Sequence, residues 1–219
     1  MTTEVSKPLS EDVIRRALKE FNVEVNNKQV QLIQQYTGIL LHWNDKLNLT
    51  AIRSPLEILH RHFGESMFAA NAVPLYQCRL ADIGTGAGFP GIPLKILRPE
   101  IDLFLVESNI KKGTFLAEVV RDLGLKDARV LISRYEELGE ELAPLDFVCS
   151  RALGEFGTFL NWAGTREVSA KGTILWLGGR DIEEVKRIGG WEWREPIAVP
   201  NSLQRYLVVG RKVAEMSAV

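Results

Sequence analysis

Four glycines and two nearby acidic residues mark one short part of this 219-residue sequence as a candidate site. The stretch reads ADIGTGAGFPGIPL over residues 81–94, and Asp82 stands two positions before its first glycine. The glycines that alternate with other residues are Gly84, Gly86 and Gly88. A second acidic residue, Glu107, lies at the end of the next apolar run. Because glycine lets a ligand approach the backbone closely, this pattern predicts a ligand-binding turn after a strand.

Two kinds of cofactor compete for such a turn. Gly86, Gly88 and Gly91 form the pattern G-x-G-x-x-G, in which the backbone at a helix start binds the pyrophosphate of a dinucleotide. Asp82 favours a different ligand, because a carboxylate there repels pyrophosphate and attracts a cation such as the ammonium or sulfonium of S-adenosylmethionine. Glu107 lies where an acidic side chain hydrogen-bonds ribose hydroxyls, which suits either cofactor. The residues alone leave a dinucleotide-binding oxidoreductase or nucleotide sensor open beside a methyltransferase.

The elements that position this turn follow two successive patterns. Residues 9 to about 75 show helical spacing only, and from residue 79 short apolar strands alternate with amphipathic helices. The last two predicted strands, WEWREPIAV and QRYLVVGRKV, have no helix between them and fit an antiparallel pair. We therefore expect a Rossmann-like α/β fold with a mostly parallel seven-stranded sheet and an antiparallel last strand over residues 76–219. An N-terminal helical cap is expected over residues 1–75.

Composition limits the compartment and the partners. Hydrophobic residues make up 46% and charged residues 25% of the chain, as in soluble globular proteins. The formal net charge is −1, so a nucleic acid would have to meet a local basic patch. Cys78 and Cys149 provide no disulfide framework, which indicates a reducing compartment. Without a targeting segment or a long apolar run, we expect a cytoplasmic protein that does not associate with membranes.

Six segments occur in the order and spacing of a known family. They are NLTAI (48–52), HRHFGES (60–66), DIGTGAGFPGIPLKILRP (82–99), SRYEEL (133–138), SRA (150–152) and RYLVV (205–209). Over about residues 40–212 the chain thus resembles the bacterial small-subunit ribosomal RNA guanine-N7 methyltransferases, historically called glucose-inhibited division protein B. This resemblance implies a class I methyltransferase fold. It also implies that S-adenosylmethionine methylates N7 of a guanine in the decoding-region loop of 16S rRNA.

The resemblance assigns cofactor contacts to individual residues. It implies that Gly84 and Phe89 of the glycine loop contact the cofactor and that Glu107 holds its ribose. It also implies that Tyr135 and Glu136 line the adenine pocket. These residues come from three separate strand ends, which meet at one edge of a parallel sheet.

Two further residues receive catalytic roles from the resemblance, and two positions depart from it. Arg151, after the fourth strand, is implied at both the cofactor and the active site, and Asn48 is implied to face the substrate. Gly178 stands where relatives often carry a lysine, which leaves Arg180 as a possible substitute contact. Tyr206 stands where a histidine is frequent. The first departure bears on RNA affinity more than on cofactor binding.

The implied reaction agrees with the residue types present. Guanine N7 carries a lone pair and no proton, so its methylation needs no general base and depends on orientation. His60 and His62 lie two residues apart and face different sides of a helix, so we expect no metal site. Cys149 has no activating neighbour in the sequence. Candidate RNA contacts are Arg53, His60, Arg61, His62, Lys111, Lys112, Arg134 and Arg180.

Other functions of the same fold remain open at this point. The near-neutral charge would suit a methyltransferase that acts on a small molecule or a protein. Gly178 would suit a ribosome-assembly factor without catalytic activity. Our first expectation is a monomeric enzyme whose partner is 16S rRNA in the small ribosomal subunit.

Overall fold

Helices occupy the chain before the first strand, as their spacing predicts. The computed structural model describes residues 9–151 and 154–213. The N-terminal helical elements are α1 (Glu11–Lys19), α2 (Asn27–Leu47), α3 (Pro55–Ile58), a π-helical turn (Leu59–Gly64), α4 (Glu65–Met67) and α5 (Ala69–Ala72). A capping box starts α2, in which Asn26 and Gln29 exchange side-chain to backbone hydrogen bonds of 2.9 and 2.8 Å. No helix in this described part of the chain has the length and apolar character of a membrane span.

The remaining elements build one sheet with helices between its strands. Its strands are β1 (Arg79–Ile83), β2 (Asp102–Val106), β3 (Ala128–Leu131), β4 (Phe147–Ser150), β5 (Gly172–Gly178), β6 (Trp191–Trp193), β7 (Ile197–Ala198) and β8 (Arg205–Lys212). The intervening helices are α6 (Gly91–Leu97), α7 (Ile110–Asp122), α8 (Phe156–Ala163) and α9 (Ile182–Lys186). The strand order is β3-β2-β1-β4-β5-β8-β6, with β7 also paired to β8. Strands β1 to β5 are parallel and β8 is antiparallel to β5, which confirms the predicted sheet.

One predicted strand is divided in the structure. The expectation of a single strand over residues 191–199 is wrong, because β6 ends at Trp193 and β7 begins at Ile197. Pro196 lies between them and has no N–H to donate to a strand ladder. The sheet therefore gains a short eighth strand at its antiparallel end.

The N-terminal helices share a hydrophobic core with one face of the sheet. Ile14 and Phe63 from the helices belong to the same buried cluster as Leu80 of β1 and Ile174 of β5. The opposite face of the sheet packs a second cluster. Strand order reverses between β1 and β4, the place where open α/β sheets bind ligands at the strand carboxyl ends. The division of the chain after residue 75 stays a prediction.

Candidate functional site

The glycine loop follows β1 directly and uses left-handed backbone conformations. Gly84, Gly86 and Gly88 have φ values of 64°, 60° and 92°, which glycine adopts without steric cost. A Cβ atom on Gly88 would run into Ile92 and the Tyr36 hydroxyl. At Gly86 the nearest atom to such a Cβ would be the Gly84 carbonyl oxygen, 4.0 Å away. Gly88 is thus required by packing, whereas Gly86 leaves space beside the backbone for a ligand.

The neighbouring strand end takes up the backbone donors of this loop. The Gly84 N–H donates to the Val106 carbonyl at 3.0 Å, and the Gly86 N–H donates to Oε2 of Glu107 at 2.9 Å. The other Glu107 oxygen accepts from the Asn109 N–H at 2.9 Å. A dinucleotide pyrophosphate would need such N–H groups for itself. The loop therefore fits a cationic ligand such as S-adenosylmethionine. Each Glu107 oxygen keeps a second lone pair. Glu107 is 7% exposed and lines neither cavity, so the implied contact with the ribose stays a prediction.

Asp82 lies buried beneath the loop. Its side chain is fully buried, and its Oδ2 accepts from the Thr85 hydroxyl at 2.6 Å and from the Gly91 N–H at 2.7 Å. Burial raises the pKa of Asp82 to about 7. This position does not support the expected contact with the cofactor ammonium. Asp82 instead ties the loop to the start of α6.

The smaller of two cavities at this edge of the sheet has a volume of about 260 Å³. It is lined by Gly84, Val106, Ser108, Ser133, Arg134, Tyr135 and Glu136. Three predicted cofactor residues, Gly84, Tyr135 and Glu136, therefore meet in one place. The Tyr135 ring packs edge-on against Trp162 at 5.0 Å, and burial raises the pKa of its hydroxyl to about 12. Tyr135 is thus a neutral hydrogen-bonding group on a fixed aromatic ring.

Phe89 joins the glycine loop to the N-terminal helices. It is 7% exposed and lines neither cavity. Its ring stacks on His62 with centroids 4.5 Å apart and on Tyr36 at 5.3 Å, and it meets the edge of Phe63 at 5.7 Å. The expected direct contact between Phe89 and the cofactor is not supported by this position. The side chain holds the loop against the helical layer.

The larger cavity has a volume of about 760 Å³ and lies at the ends of β4, β5 and β8. It is lined by Arg61, Glu65, Ser150, Arg151, Gly154, Phe156, Leu175, Trp176, Leu177, Gly178, Asp181, Asn201, Ser202, Leu203, Gln204 and Arg205. Three arginines and two carboxylates give it a charged wall. Sequence reasoning missed Glu65 and Arg205 as site residues. Both lie within the family-like segments HRHFGES and RYLVV, which was the available signal.

Arg151 is held at the wall of this cavity by the helical layer. Its Nη1 donates to the Arg61 carbonyl at 3.1 Å and to Ser66 Oγ at 3.3 Å, and its Nη2 lies 3.4 Å from Nδ1 of His62. Burial lowers the pKa of Arg151 to about 10, so the guanidinium remains charged at neutral pH. The structure places Arg151 beside the larger cavity rather than the smaller one.

His62 is a neutral support for Arg151 and not an exposed RNA contact. It is 9% exposed, and burial followed by the charge of Arg151 lowers its pKa to about 3. A neutral imidazole that accepts from Arg151 at Nδ1 carries its proton at Nε2, which lies 2.8 Å from Thr50 Oγ1. Thr50 is held in turn by Asn44, which exchanges two hydrogen bonds with its backbone.

Asn48 lies at the end of α2 and lines neither cavity. It is exposed and caps the helix in the left-handed conformation, with φ of 48°, which asparagine tolerates better than most residues. The implied substrate-facing role of Asn48 has no supporting contact among the described residues. In the same NLTAI segment, Thr50 is the residue that reaches the site through His62.

The candidate RNA contacts separate into two groups. Arg61 lines the larger cavity and Arg134 lines the smaller one. The candidates that line neither cavity are Arg53, His60, His62, Lys111, Lys112 and Arg180. Arg53 forms an ion pair with Asp45 at 2.6 Å. Arg180 lines neither cavity, so its role as a substitute for the lysine that relatives carry at position 178 stays a prediction.

Thiol and metal chemistry have little support. Cys149 is fully buried, and burial together with the charge of Asp82 raises the pKa of its thiol well above the usual value. A buried thiol of that kind is a poor nucleophile. Among residues 9–151 and 154–213, no group of three metal-binding side chains is present. The expectation that the protein needs no metal stays a prediction.

The parallel sheet with its antiparallel last strand, the glycine loop after β1 and the acidic residue after β2 define a class I methyltransferase. A solved S-adenosylmethionine-dependent methyltransferase from Aquifex aeolicus has the same fold, with a TM-score of 0.59 at 16% identity over 76% of this chain and 97% of that one. The family model described as rRNA small subunit methyltransferase G matches residues 29–187, and the chain belongs to this family.

Curated relatives agree with this assignment. Ribosomal RNA small subunit methyltransferase G of Pelotomaculum thermopropionicum is 37% identical over 226 residues, covering 93% of this chain and 91% of that protein. The protein of the same name from Roseiflexus castenholzii is 35% identical, covering 94% and 93%. The predicted family, fold class, methyltransferase activity and cofactor S-adenosylmethionine are therefore confirmed.

Proposed function

We propose that this protein transfers a methyl group from S-adenosylmethionine to N7 of a guanine in the decoding-region loop of 16S rRNA. One observation carries the proposal beyond family membership. The larger cavity stands at the same sheet edge as the glycine loop and is lined by three arginines, Arg61, Arg151 and Arg205. Such groups attract a phosphate-bearing acceptor, although the whole chain has a net charge of −1.

The site suits an acceptor that needs orientation rather than deprotonation. When bound, S-adenosylmethionine supplies a methyl group activated by a positively charged sulfur. The nearest histidine to the cavity wall, His62, is neutral and engaged by Arg151 and Thr50, so it is not free to take a proton. Guanine N7 has no proton to lose, which agrees with this arrangement. The work of the protein is to hold the base in line with the methyl group.

Arg151 contributes to that orientation through the guanidinium donors that its hydrogen bonds to the protein leave free. Hydrogen bonds to Arg61, Ser66 and His62 fix the group while it lines the cavity. A bidentate arginine contact to both O6 and N7 of guanine would block the methyl acceptor. We therefore infer that Arg151 donates to O6 or to a phosphate and leaves N7 open.

Two buried aromatic residues, Phe156 and Trp176, belong to the cavity wall. Phe156 begins α8 and is 8% exposed, and Trp176 lies on β5 with its indole N–H bound to the Glu65 carbonyl at 2.8 Å. Proteins that act on a base within structured RNA extrude it and stack it on aromatic or guanidinium planes. The cavity volume of about 760 Å³ leaves room for a base and its sugar.

The test is transfer of labelled methyl from S-adenosylmethionine to purified small ribosomal subunits and to protein-free 16S rRNA. We expect label in 7-methylguanosine, identified by nucleoside mass, and the better substrate tells what form of RNA the protein recognises. Arg121→Ala removes an exposed arginine on α7 that lines neither cavity, and it serves as the matched control for the loss of charge in Arg151→Ala.

Two other results would replace the proposal. Label in a different nucleoside, in a protein or in a small molecule would identify another acceptor for the same fold. Intact cofactor binding by calorimetry with no transfer would indicate a ribosome-assembly factor without catalysis.

We further infer a monomer that works in the cytoplasm. Light scattering during size-exclusion chromatography tests the first point, and cell fractionation tests the second.

A further inference from the structure

Glu65 is a buried carboxylate in the wall of the larger cavity, and nothing in the reaction proposed above uses it. Glu65 is 4% exposed and directly follows the π-helical turn Leu59–Gly64. π-helical segments are rare and concentrate at functional sites. The Glu65 backbone is held by Trp176, whose indole N–H donates to its carbonyl at 2.8 Å. The carboxylate therefore has a fixed position.

The two oxygens of this carboxylate have different surroundings. Oε2 accepts from Nη1 of Arg205 at 2.9 Å. Oε1 has no hydrogen-bond partner among the described residues, and Glu65 is one of the residues that line the larger cavity. A purely structural buried ion pair would be expected to satisfy both oxygens. Oε1, with its two lone pairs, is thus left to accept hydrogen bonds from a ligand.

A second polar group in the same wall also lacks a partner. Ser150 ends β4, is 3% exposed and lines the cavity, and its Oγ is buried with no hydrogen-bond partner in the described chain. Buried polar groups are normally paired, and the exceptions concentrate where a ligand or water completes them. Glu65 and Ser150 therefore point independently to a polar ligand in this cavity.

Guanine matches a carboxylate beside arginines better than the other RNA bases. Its Watson–Crick edge carries two neighbouring donors, N1–H and the N2 amine, next to the O6 acceptor. Adenine and cytosine present a ring nitrogen acceptor at the corresponding place, which a carboxylate repels, and uracil has no amine donor. The N7 atom lies on the far side of the guanine ring system. A carboxylate that holds N1–H and N2 therefore leaves N7 free for methylation.

We propose that Glu65 selects guanine by accepting hydrogen bonds from N1–H and the N2 amine, and this rests on the proposed function. Arg205 fixes the carboxylate through Oε2 and leaves Oε1 available. Arg151, in the same wall, supplies the donor for O6 or phosphate. Glu65 is thus a specificity residue, which makes a contact that other bases cannot reproduce.

Inosine tests this assignment, because it lacks the N2 amine and keeps N1–H, O6 and N7. Target RNA carrying guanosine or inosine at the methylated position is compared by kcat/KM. We expect the wild-type protein to lose about 10- to 100-fold on inosine, the range for a hydrogen bond to a charged group. For Glu65→Gln we expect lower activity on guanosine and a guanosine to inosine ratio within about threefold of one.

The controls separate base selection from structural support. Asp181→Asn removes another carboxylate from the same wall and is expected to keep the wild-type ratio. If circular dichroism shows that Glu65→Gln does not fold, Glu65→Asp is measured in its place. This variant keeps the charge but shortens the side chain, and we expect an intermediate ratio. A Glu65→Gln variant that loses activity but keeps the wild-type ratio would assign Glu65 a structural role only. A wild-type protein that forms no 7-methylguanosine would instead refute the proposed function.

Discussion

The two cavities at the carboxyl edge of the sheet are built in different ways. The smaller cavity is lined by residues at the ends of three strands that neighbour one another in the sheet. Gly84 follows β1, Val106 ends β2, and Tyr135 and Glu136 follow β3. The larger cavity collects side chains from segments far apart in the chain, from Arg61 to Arg205. The first uses backbone geometry, and the second uses long polar side chains supported by other elements.

Because of this difference, substitutions near the two cavities should have different effects. In the glycine loop, carboxylates such as Glu107 hold backbone N–H groups, so the fold itself determines the shape of the smaller cavity. In the larger cavity, Arg151 depends on Ser66 and His62, which belong to the helical layer. Substitutions near the smaller cavity should therefore affect stability and cofactor binding together. Substitutions in the larger cavity should affect methyl transfer with smaller changes in stability.

The largest expected effect is that of Arg151→Ala. Loss of the charged donor in the larger cavity should lower kcat/KM for RNA by about 100-fold or more, the scale of removing one preorganised donor. Because Arg151 lines only the larger cavity, cofactor affinity measured by calorimetry should change much less. Wild-type turnover by a folded Arg151→Ala protein would contradict its placement in the site. A large loss of cofactor binding would show that the two cavities are not separate in this respect.

A pair of glycine substitutions tests the smaller cavity. Gly88→Ala places a methyl group against Ile92 and the Tyr36 hydroxyl, and should reduce the free energy of unfolding by about 2–4 kcal/mol. Gly86→Ala meets open space and should lose about 1–2 kcal/mol from its left-handed backbone. Urea unfolding measures both, and calorimetry should show weaker cofactor binding for Gly86→Ala. Equal stability losses would show that packing does not distinguish these glycines.

The sequence predicts the smaller cavity better than the larger one, because backbone geometry near a turn depends on local sequence and the packing of distant side chains does not. The strand and helix order and the glycine turn follow from local periodicity, and they hold in the structure. The orientation of a side chain on a central strand is a tertiary property, so the burial of Asp82 beneath the loop could not be predicted from the sequence. The π-helical turn Leu59–Gly64 and the contacts of Phe89 also depend on packing between distant elements.

The contact between Glu65 and Arg205 also depends on tertiary packing. The two residues are 140 positions apart, and no local pattern predicts that their side chains meet. The expected single strand over residues 191–199 failed for a local reason, since Pro196 lacks the donor that a strand needs. That error could have been avoided from the sequence, whereas the ion pair could not have been found there.

The pH dependence of stability offers a further test on the glycine-loop side. Burial raises the pKa of Asp82 to about 7 in the folded protein, against about 3.9 in an unfolded chain. Between these values the folded state holds a proton that the unfolded state has released, so this group lowers stability as pH rises. Asp82→Asn keeps an oxygen acceptor for Thr85 and Gly91 but does not titrate. Its stability relative to wild type should increase from about pH 4.5 to about pH 7.5.

Urea unfolding at several pH values measures this difference directly. Thr85→Val is the control, because it removes one hydrogen bond to Asp82 without removing the titrating group. A constant difference between Asp82→Asn and wild type across this pH range would mean that the carboxyl titrates normally in the folded protein.

A pH effect of the opposite sign comes from His62, which contacts Arg151 at the wall of the larger cavity. Burial and the charge of Arg151 lower the pKa of His62 to about 3, against about 6.5 in an unfolded chain. As pH falls below about 6.5, the unfolded chain takes up a proton that folded His62 refuses, so this group removes stability. His62→Gln preserves an acceptor for Arg151 and a donor for Thr50, and it should lose less stability than wild type on acidification.

Because the ranges of Asp82 and His62 overlap between about pH 4 and about pH 6.5, their contributions oppose each other in the wild-type protein. The wild type should therefore show a shallower pH dependence than either single variant. Asp82→Asn should become less stable toward acid, and His62→Gln should become less stable toward neutral pH. The double variant should lose both slopes, because it contains neither titrating group. If the slopes of the single variants do not add in the double variant, Asp82 and His62 are coupled through Phe89, which stacks on His62 and belongs to the loop that Asp82 anchors.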